Sequence, residues 1–459
     1  MNSHLDRLSR RRLLTLGGQL AAVGWARGKA AALTAEDQFA AAARGWLQLL
    51  DPESGLPVDI AEAGLDGRIL FLTESPAWMK TSPTVVGLGL VVTVLLRDRG
   101  ILTADSALRL AERMVDQLER MERHESFWCT WYDVRSARSG SPGISPHLPH
   151  FVSSVDNSNL TAALHIVEAA FPATSLSDRA TALLQGQDYR RFVNPANGLI
   201  RLGWFPDTGA VSPFDYGTLN TEARLLSLFG LRDGAPATVW TEMDDCLVFA
   251  SDRDGRLVPV LPSWGGSLFE TLMVEPLING ASLAPQVWQE NARRMLRLHA
   301  TAAEERGWPI WGWSPAFDAF GFYREYGVPA LSATDVLAGY PMGAVSPYSA
   351  ALGLRFEPEL VLHNLAQIRA LNPEVYHPEF GYRDTIDPET GAVTRVVSAL
   401  DKAMEALGLS GGSVEQYFWA SLERRGKAAP LRGALAAVTP LPPIEADPWS
   451  SAQPASETR

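Results

Sequence analysis

An all-α fold built from helical hairpins is what this chain predicts, and three features predict it. Apolar residues recur at i, i+3 and i+4 in twelve stretches. Alternating runs suited to strands are scarce. Long segments rich in Gly, Pro and aromatic residues separate the helical stretches on alternate connections. Compact domains keep connections short unless the loops are functional. Hairpins closed into a ring would gather these loops on one rim, around a central funnel. No sequence repeat marks the ring.

In chain order the helical stretches are 34–50, 83–98, 103–121, 157–171, 176–192, 217–230, 265–279, 284–305, 346–354, 358–371, 396–408 and 412–424. The stretch 103–121 is the clearest. Thr103 can cap it, Asp105 lies in its first turn, and Ala107, Leu108, Ala111, Met114, Val115, Leu118 and Met121 form one apolar face. The long loops are 123–156, 193–216, 252–266, 306–345 and 373–395, where short pieces such as 257–261 suit hairpins.

The 459 residues are 46% apolar and 20% charged, the composition of a folded chain with a large core. The net charge of −12 argues against a nucleic-acid partner, which needs a basic face, and against docking on anionic lipid. Ser9-Arg10-Arg11-Arg12-Leu13-Leu14, a short apolar run and Ala30-Ala31-Ala32 read as a twin-arginine export signal. The expected organisation is a signal peptide over 1–32, one domain over 33–439 and a Pro-rich tail over 440–459. A periplasmic or secreted monomer without membrane insertion follows from that reading. Two cysteines, Cys129 and Cys246, define no disulfide framework, and whether they pair is open.

Acids and aromatic residues cluster in the loops. Ser263-Trp264-Gly265-Gly266-Ser267-Leu268-Phe269-Glu270 runs a Trp on a Gly-Gly loop into a helix carrying one carboxylate. The segment 124–133 holds Trp131 and Asp133, and 153–159 holds Asp156 and Asn157. Asp156 also suits a plain helix cap. Trp308, Trp311 and Trp313, spaced among Gly and Pro before Asp318, cannot form a helical stripe and suit a sugar platform better than core. Tyr348 follows another Pro-rich loop, and Asp384 and Asp401 add acids downstream.

Carboxylic acids among aromatic faces suit glycosidic cleavage or transfer. One acid is kept protonated for the leaving oxygen, and a second carboxylate acts as base or nucleophile. Burial beside Trp264 and Phe269 would raise the Glu270 pKa, as a general acid requires. Gly-x-x-x-x-Gly-Lys and His-Glu-x-x-His motifs are missing. His147 and His150 read as solvated, and neither a metal nor an organic cofactor is expected.

Seven motifs, in order, resemble the glucoamylase-like domain family. They are Thr81-Ser82-Pro83-Thr84-Val85-Val86-Gly87-Leu88, Trp131-Tyr132-Asp133, residues 153–160, Thr221-Glu222-Ala223-Arg224-Leu225, residues 263–273, Tyr326-Gly327-Val328-Pro329 and Ser346-Pro347-Tyr348. The family includes the central segment of cyclic β-1,2-glucan synthases and is related to secreted endo-β-1,2-glucanases. The resemblance spans residues 40–425. It implies an (α/α)6 toroid, action on a β-glucan, and a cavity lined by Asp156, Glu222 and Glu270. Glu222 also suits an ordinary helix residue paired with Arg224. Two departures stand out. Pro315 replaces an acid that Asp318 would have to supply, and Asp401-Lys402-Ala403 stands where relatives carry Asp-Gln-Gly or His-Gln-Gly.

The resulting expectation is an exported glycoside hydrolase acting on an oligo- or polysaccharide. Glu270 and Asp156 are its leading acids, with Glu222 and Asp318 in reserve. Trp264, Trp311, Trp313, Tyr348, Trp131, Asp133 and Asn157 are the expected substrate contacts. The other reading is a glycan-binding or polysaccharide-assembly protein on the same fold, which Pro315 favours.

Overall fold

The computed structural model describes residues 33–73, 79–140, 150–333, 340–411 and 414–444. The export signal, His147 and the last 15 residues of the expected tail lie outside them.

Twelve helices alternate between an outer and an inner ring. The outer helices are α1 (Ala35–Gln48), α3 (Ala104–Arg120), α5 (Ser175–Leu184), α7 (Thr238–Thr241), α9 (Glu290–Glu305) and α11 (Pro358–Leu371). The inner helices are α2 (Pro83–Asp98), α4 (Ser154–Ala170), α6 (Ala223–Arg232), α8 (Leu268–Leu272), α10 (Pro347–Leu352) and α12 (Ala399–Leu409). The sequence sorts them. In α2 every residue from Pro83 to Leu96 is buried, so it must be surrounded by other helices. In α3 only the Ala107, Ala111, Met114, Val115 and Leu118 face is buried, while its charged face meets water.

Packing runs round the ring from α12 to α2, from α2 to α4, from α4 to α6, and from α8 through α10 back to α12. Between α6 and α8 the link is polar: Arg224 donates to Thr271 O at 2.8 Å and to Glu275 at 3.1 Å. Helices α13 (Glu415–Arg424) and α14 (Ala428–Ala436) pack on α4 and α6. Ser421 of α13 bonds to Glu168 and, at 2.7 Å, to His165 Nδ1, both toward the C-terminal end of α4.

Glycines set the inner spacing. A Cβ on Gly87 would lie 2.9 Å from Leu160 Cα, and one on Gly408 would lie 2.5 Å from the Ala351 backbone. Gly408→Ala therefore has to push α12 from α10, and overpacking of this kind costs about 1–3 kcal/mol. Calorimetry should show a lower Tm for Gly408→Ala. An unchanged Tm would mean the two helices separate freely.

The helix positions follow the sequence periodicity closely, with local exceptions. The stretch 217–230 turns helical only at Ala223, and 265–279 breaks at Met273 into α8 and Glu275–Ile278. Helices α7 and α14 are additions to the expected set. Short antiparallel strands punctuate the loops. Val248–Ser251 pairs with Leu257–Val260, close to the expected hairpin. Ile60–Ala63 pairs with Val396–Ser398, Ile60 opposite Ser398, which ties the beginning of the ring to its end.

Candidate active site

The N-terminal ends of all six inner helices converge on one cavity of about 480 Å³. Its wall includes Ser82, Thr84 and Val85 of the α2 end, Val155, Asp156 and Asn159 of α4, and Glu222 just before α6. Phe269 of α8, Tyr348 of α10, and Ser398, Leu400, Asp401 and Met404 at α12 complete the helical part. Loops add Asp59, Lys80, Trp131, Pro315, Phe317 and Tyr323. Helix N-termini favour negative charge nearby, and four carboxyls (Asp59, Asp156, Glu222 and Asp401) face this space.

Three of the helices place an acid by one local device. In Ser153-x-x-Asp156, Ser267-x-x-Glu270 and Ser398-x-x-Asp401 the serine hydroxyl accepts the N–H of the acid three residues on, at 3.3, 3.4 and 3.3 Å. Ser153, not Asp156, is thus the cap of α4. Asp156 Oδ1 is free of that duty and accepts the Thr84 hydroxyl at 2.6 Å. Thr84 in turn accepts from Asn159 Nδ2 at 3.2 Å. Burial raises the Asp156 pKa against the Thr84 hydrogen bond.

Glu222 is less encumbered. Its Oε2 is buried without a hydrogen-bond partner. Burial first, and the nearby Glu270 charge second, push it up to about 8. Arg224 does not neutralise it, because that guanidinium is spent on Glu275 and Thr271. Pairing between Glu222 and Arg224 is therefore replaced by a buried Arg224–Glu275 pair.

Asp401 and Asp384 lie together as a carboxyl pair. Asp384 Oδ2 also accepts Phe317 N–H at 2.7 Å. Burial raises both, and the Asp384 charge raises Asp401 further. Beside it, burial lifts Asp59 to about 6, with Lys80, 3.9 Å away, opposing.

Several expected contacts sit elsewhere. Glu270 is 6% exposed and absent from the cavity lining, but it lies close enough to Glu222 to raise that carboxyl. Burial raises Glu270 too, as expected, and its Oε2 accepts Gly265 N–H at 3.0 Å, bracing the Trp264 loop. Asp318 is likewise outside the wall. It accepts Phe320 and Phe322 N–H groups, each at 2.9 Å, and pairs with Arg324, which locks the turn of a rim hairpin. Trp311 and Trp313 are core residues rather than platforms. Trp313 is fully buried, leans on His299 and Trp308, and donates Nε1–H to Gly343 O. Neighbouring segments cover the Trp311 and Trp313 indoles, so both rings fill core. Asn157 is buried and grips the Trp128 backbone on both sides. Asp133 caps its own turn through Arg135 and Ser136. Trp264 is half-exposed and outside the cavity wall. Trp131 and Tyr348 do line the cavity, though the Lys80 ammonium sits 3.7 Å over the Trp131 ring. Cys129 is buried, Cys246 is exposed, and both are free thiols.

Sequence reasoning passed over Asp59, Lys80, Thr84, Asn159, Phe317 and Tyr323, and left Asp401 unassigned. For Asp401 a signal existed: Ser398-Ala399-Leu400-Asp401 repeats the spacing that marks Asp156 and Glu270. Asp59 sits in a bend and Lys80 in a two-residue strand, and neither carried one.

Paired helices in two rings around an acid-lined cavity define an (α/α)6 toroid of the glucoamylase-like type. The likeness read from the motifs holds: residues 218–422 match the model of the Glycoamylase family, described as "Putative glucoamylase". Over 225 residues, 47% of this chain, the sequence is 30% identical to the cyclic β-(1,2)-glucan synthase NdvB of Rhizobium meliloti (strain 1021); the match spans 8% of that much longer protein. An endo-β-1,2-glucanase variant of Talaromyces funiculosus, solved with β-1,2-glucan, superposes with a TM-score of 0.68 at 12% identity, covering 89% of this chain and 92% of that one. The endo-β-1,2-glucanase of Chitinophaga pinensis, solved with sophorotriose and glucose, gives 0.65 at 15% identity, covering 86% and 98%.

Proposed function

We propose that this chain cleaves or transfers glucosidic bonds of a β-1,2-linked glucan, with Glu222 as general acid and Asp401, backed by Asp384, as general base. The observation that carries the reading is the Glu222 carboxyl, set in the cavity wall with an unpartnered oxygen and held protonated near neutral pH. Its proton passes to the glycosidic oxygen as that bond breaks. A water or sugar hydroxyl attacks the anomeric carbon and gives its proton to the Asp384–Asp401 pair. Asp156 and Asn159 offer acceptors for substrate hydroxyls, and Tyr348, Phe269 and Phe317 offer faces for pyranose rings. The β-1,2 linkage is supported by what the relatives act on or bind, and export by the Ser9-Arg10-Arg11-Arg12 pattern.

The test incubates purified protein with β-1,2-, β-1,3- and β-1,4-glucans. Fragments carrying new reducing ends, or longer and cyclic products without them, are expected with the β-1,2 polymer alone. Binding without any product would sink the enzymatic reading and leave a glycan-binding protein.

A further inference from the structure

Lys402 has no part in the chemistry above, yet its ammonium is buried just behind it. The side chain is 2% exposed and donates to Tyr382 O and to Glu405 Oε2, each at 2.5 Å. Glu405 Oε1 accepts Tyr382 N–H at 3.2 Å. The Lys402–Glu405 pair therefore grips both backbone polar groups of Tyr382, two residues before Asp384. A void of about 10 Å³, the size of one water, is bordered by Asp384, Asp401, Lys402 and Glu405. Asp384 Oδ1 is buried there without a hydrogen-bond partner. Such a pair is a weak source of stability, because the desolvation of both ions offsets their attraction. Its place beside two acidic carboxyls gives it another use.

We propose that Lys402 is a positioning residue that favours the ionised form of the Asp384–Asp401 pair and so keeps Asp401 able to accept a proton. The proposal rests on the reading of Asp401 as the base. Burial alone would drive both carboxyls toward the neutral form; the Lys402 charge opposes this at each of them. The other groups facing the pair do not substitute for it. Asp59 pushes Asp401 further up, Lys80 is engaged with Asp59, Glu405 is held by Lys402 itself, Arg383 is spent on the Glu374 and Ala63 carbonyls, and Tyr348 donates to Pro315 O.

The experiment is the pH profile of kcat/KM on β-1,2-glucan. In Lys402→Met the acidic limb, where the base protonates, should move up by about one pH unit, the effect of removing one charge a few ångströms away. Lys402→Met/Glu405→Met leaves no unpaired buried charge, stays folded on that account, and should show the same shift. Lys402→Arg keeps the charge and should leave the limb in place, whatever it does to kcat. Wild-type limbs in both the single and the double Met variants would overturn the inference. Asp401→Asn is measured alongside. Wild-type turnover in that variant would instead overturn the assignment of Asp401, and the two failures are read separately.

Discussion

Glu222→Gln should lower kcat by about 10²–10⁴-fold, the usual contribution of a positioned general acid, and leave the fold intact. Gln matches the protonated carboxyl in shape and charge, so nothing new is buried. The pH dependence sharpens the expectation. Activity that needs protonated Glu222 falls as pH rises through about 8, and this alkaline limb is lost in the variant. Stability should move with it. A carboxyl whose folded pKa lies above its unfolded value near 4.5 favours the folded state fully below that value, and the advantage fades as pH climbs to about 8. Gln has no such loss. The unfolding midpoints of wild type and Glu222→Gln should therefore coincide near pH 4 and diverge upward in pH, with the variant the more stable. Undiminished turnover in Glu222→Gln would remove Glu222 from the mechanism. Parallel stability curves would mean that its carboxyl ionises normally.

Arg224→Met should cost about 3–5 kcal/mol in unfolding free energy, because it strands one member of a buried ion pair. Arg224 and Glu275 have side chains 1% and 2% exposed. The guanidinium lies 4.3 Å over the Trp288 ring and donates to Thr271 O, so one side chain joins α6, α8 and the segment leading to α9. Without it, Glu275 retains only Ala281 N–H as a hydrogen-bond donor, at 2.9 Å. Arg224→Met/Glu275→Leu removes both charges and should recover most of the loss, as apolar replacements of buried pairs do. Chemical denaturation of the three proteins separates these cases. A double variant no better than Arg224→Met would show that the site is held by shape and the Trp288 contact, with charge pairing secondary.

These expectations reach beyond what the sequence alone supplies. The twelve helical stretches were legible because helical periodicity is written in neighbouring turns. α2, apolar on nearly every side, also carried a signal for the inner ring; α4 did not, since its buried faces include Asn157, Asn159, His165 and Glu168. The acids were half legible: Ser-x-x-Asp/Glu places a carboxylate at the third position of three inner helices, a rule spanning four residues. Nothing in those four residues tells where the carboxylate is spent. Glu270 turns to Gly265 and braces a loop, while Asp156 and Asp401 face the cavity.

By itself, then, the sequence determined the all-α class, the positions of most helices and the glucoamylase-like resemblance. These depend on local spacing and ordered motifs. Tertiary structure alone decided that Trp313 fills core, that Asp318 locks a turn, that Arg224 leaves Glu222 for Glu275, and that Asp384 and Asp401 meet behind the cavity. Each outcome turns on which distant segment covers a side chain. Closing a ring of helices sets the desolvation and the partners of a carboxyl together, and no stretch of contiguous residues encodes either.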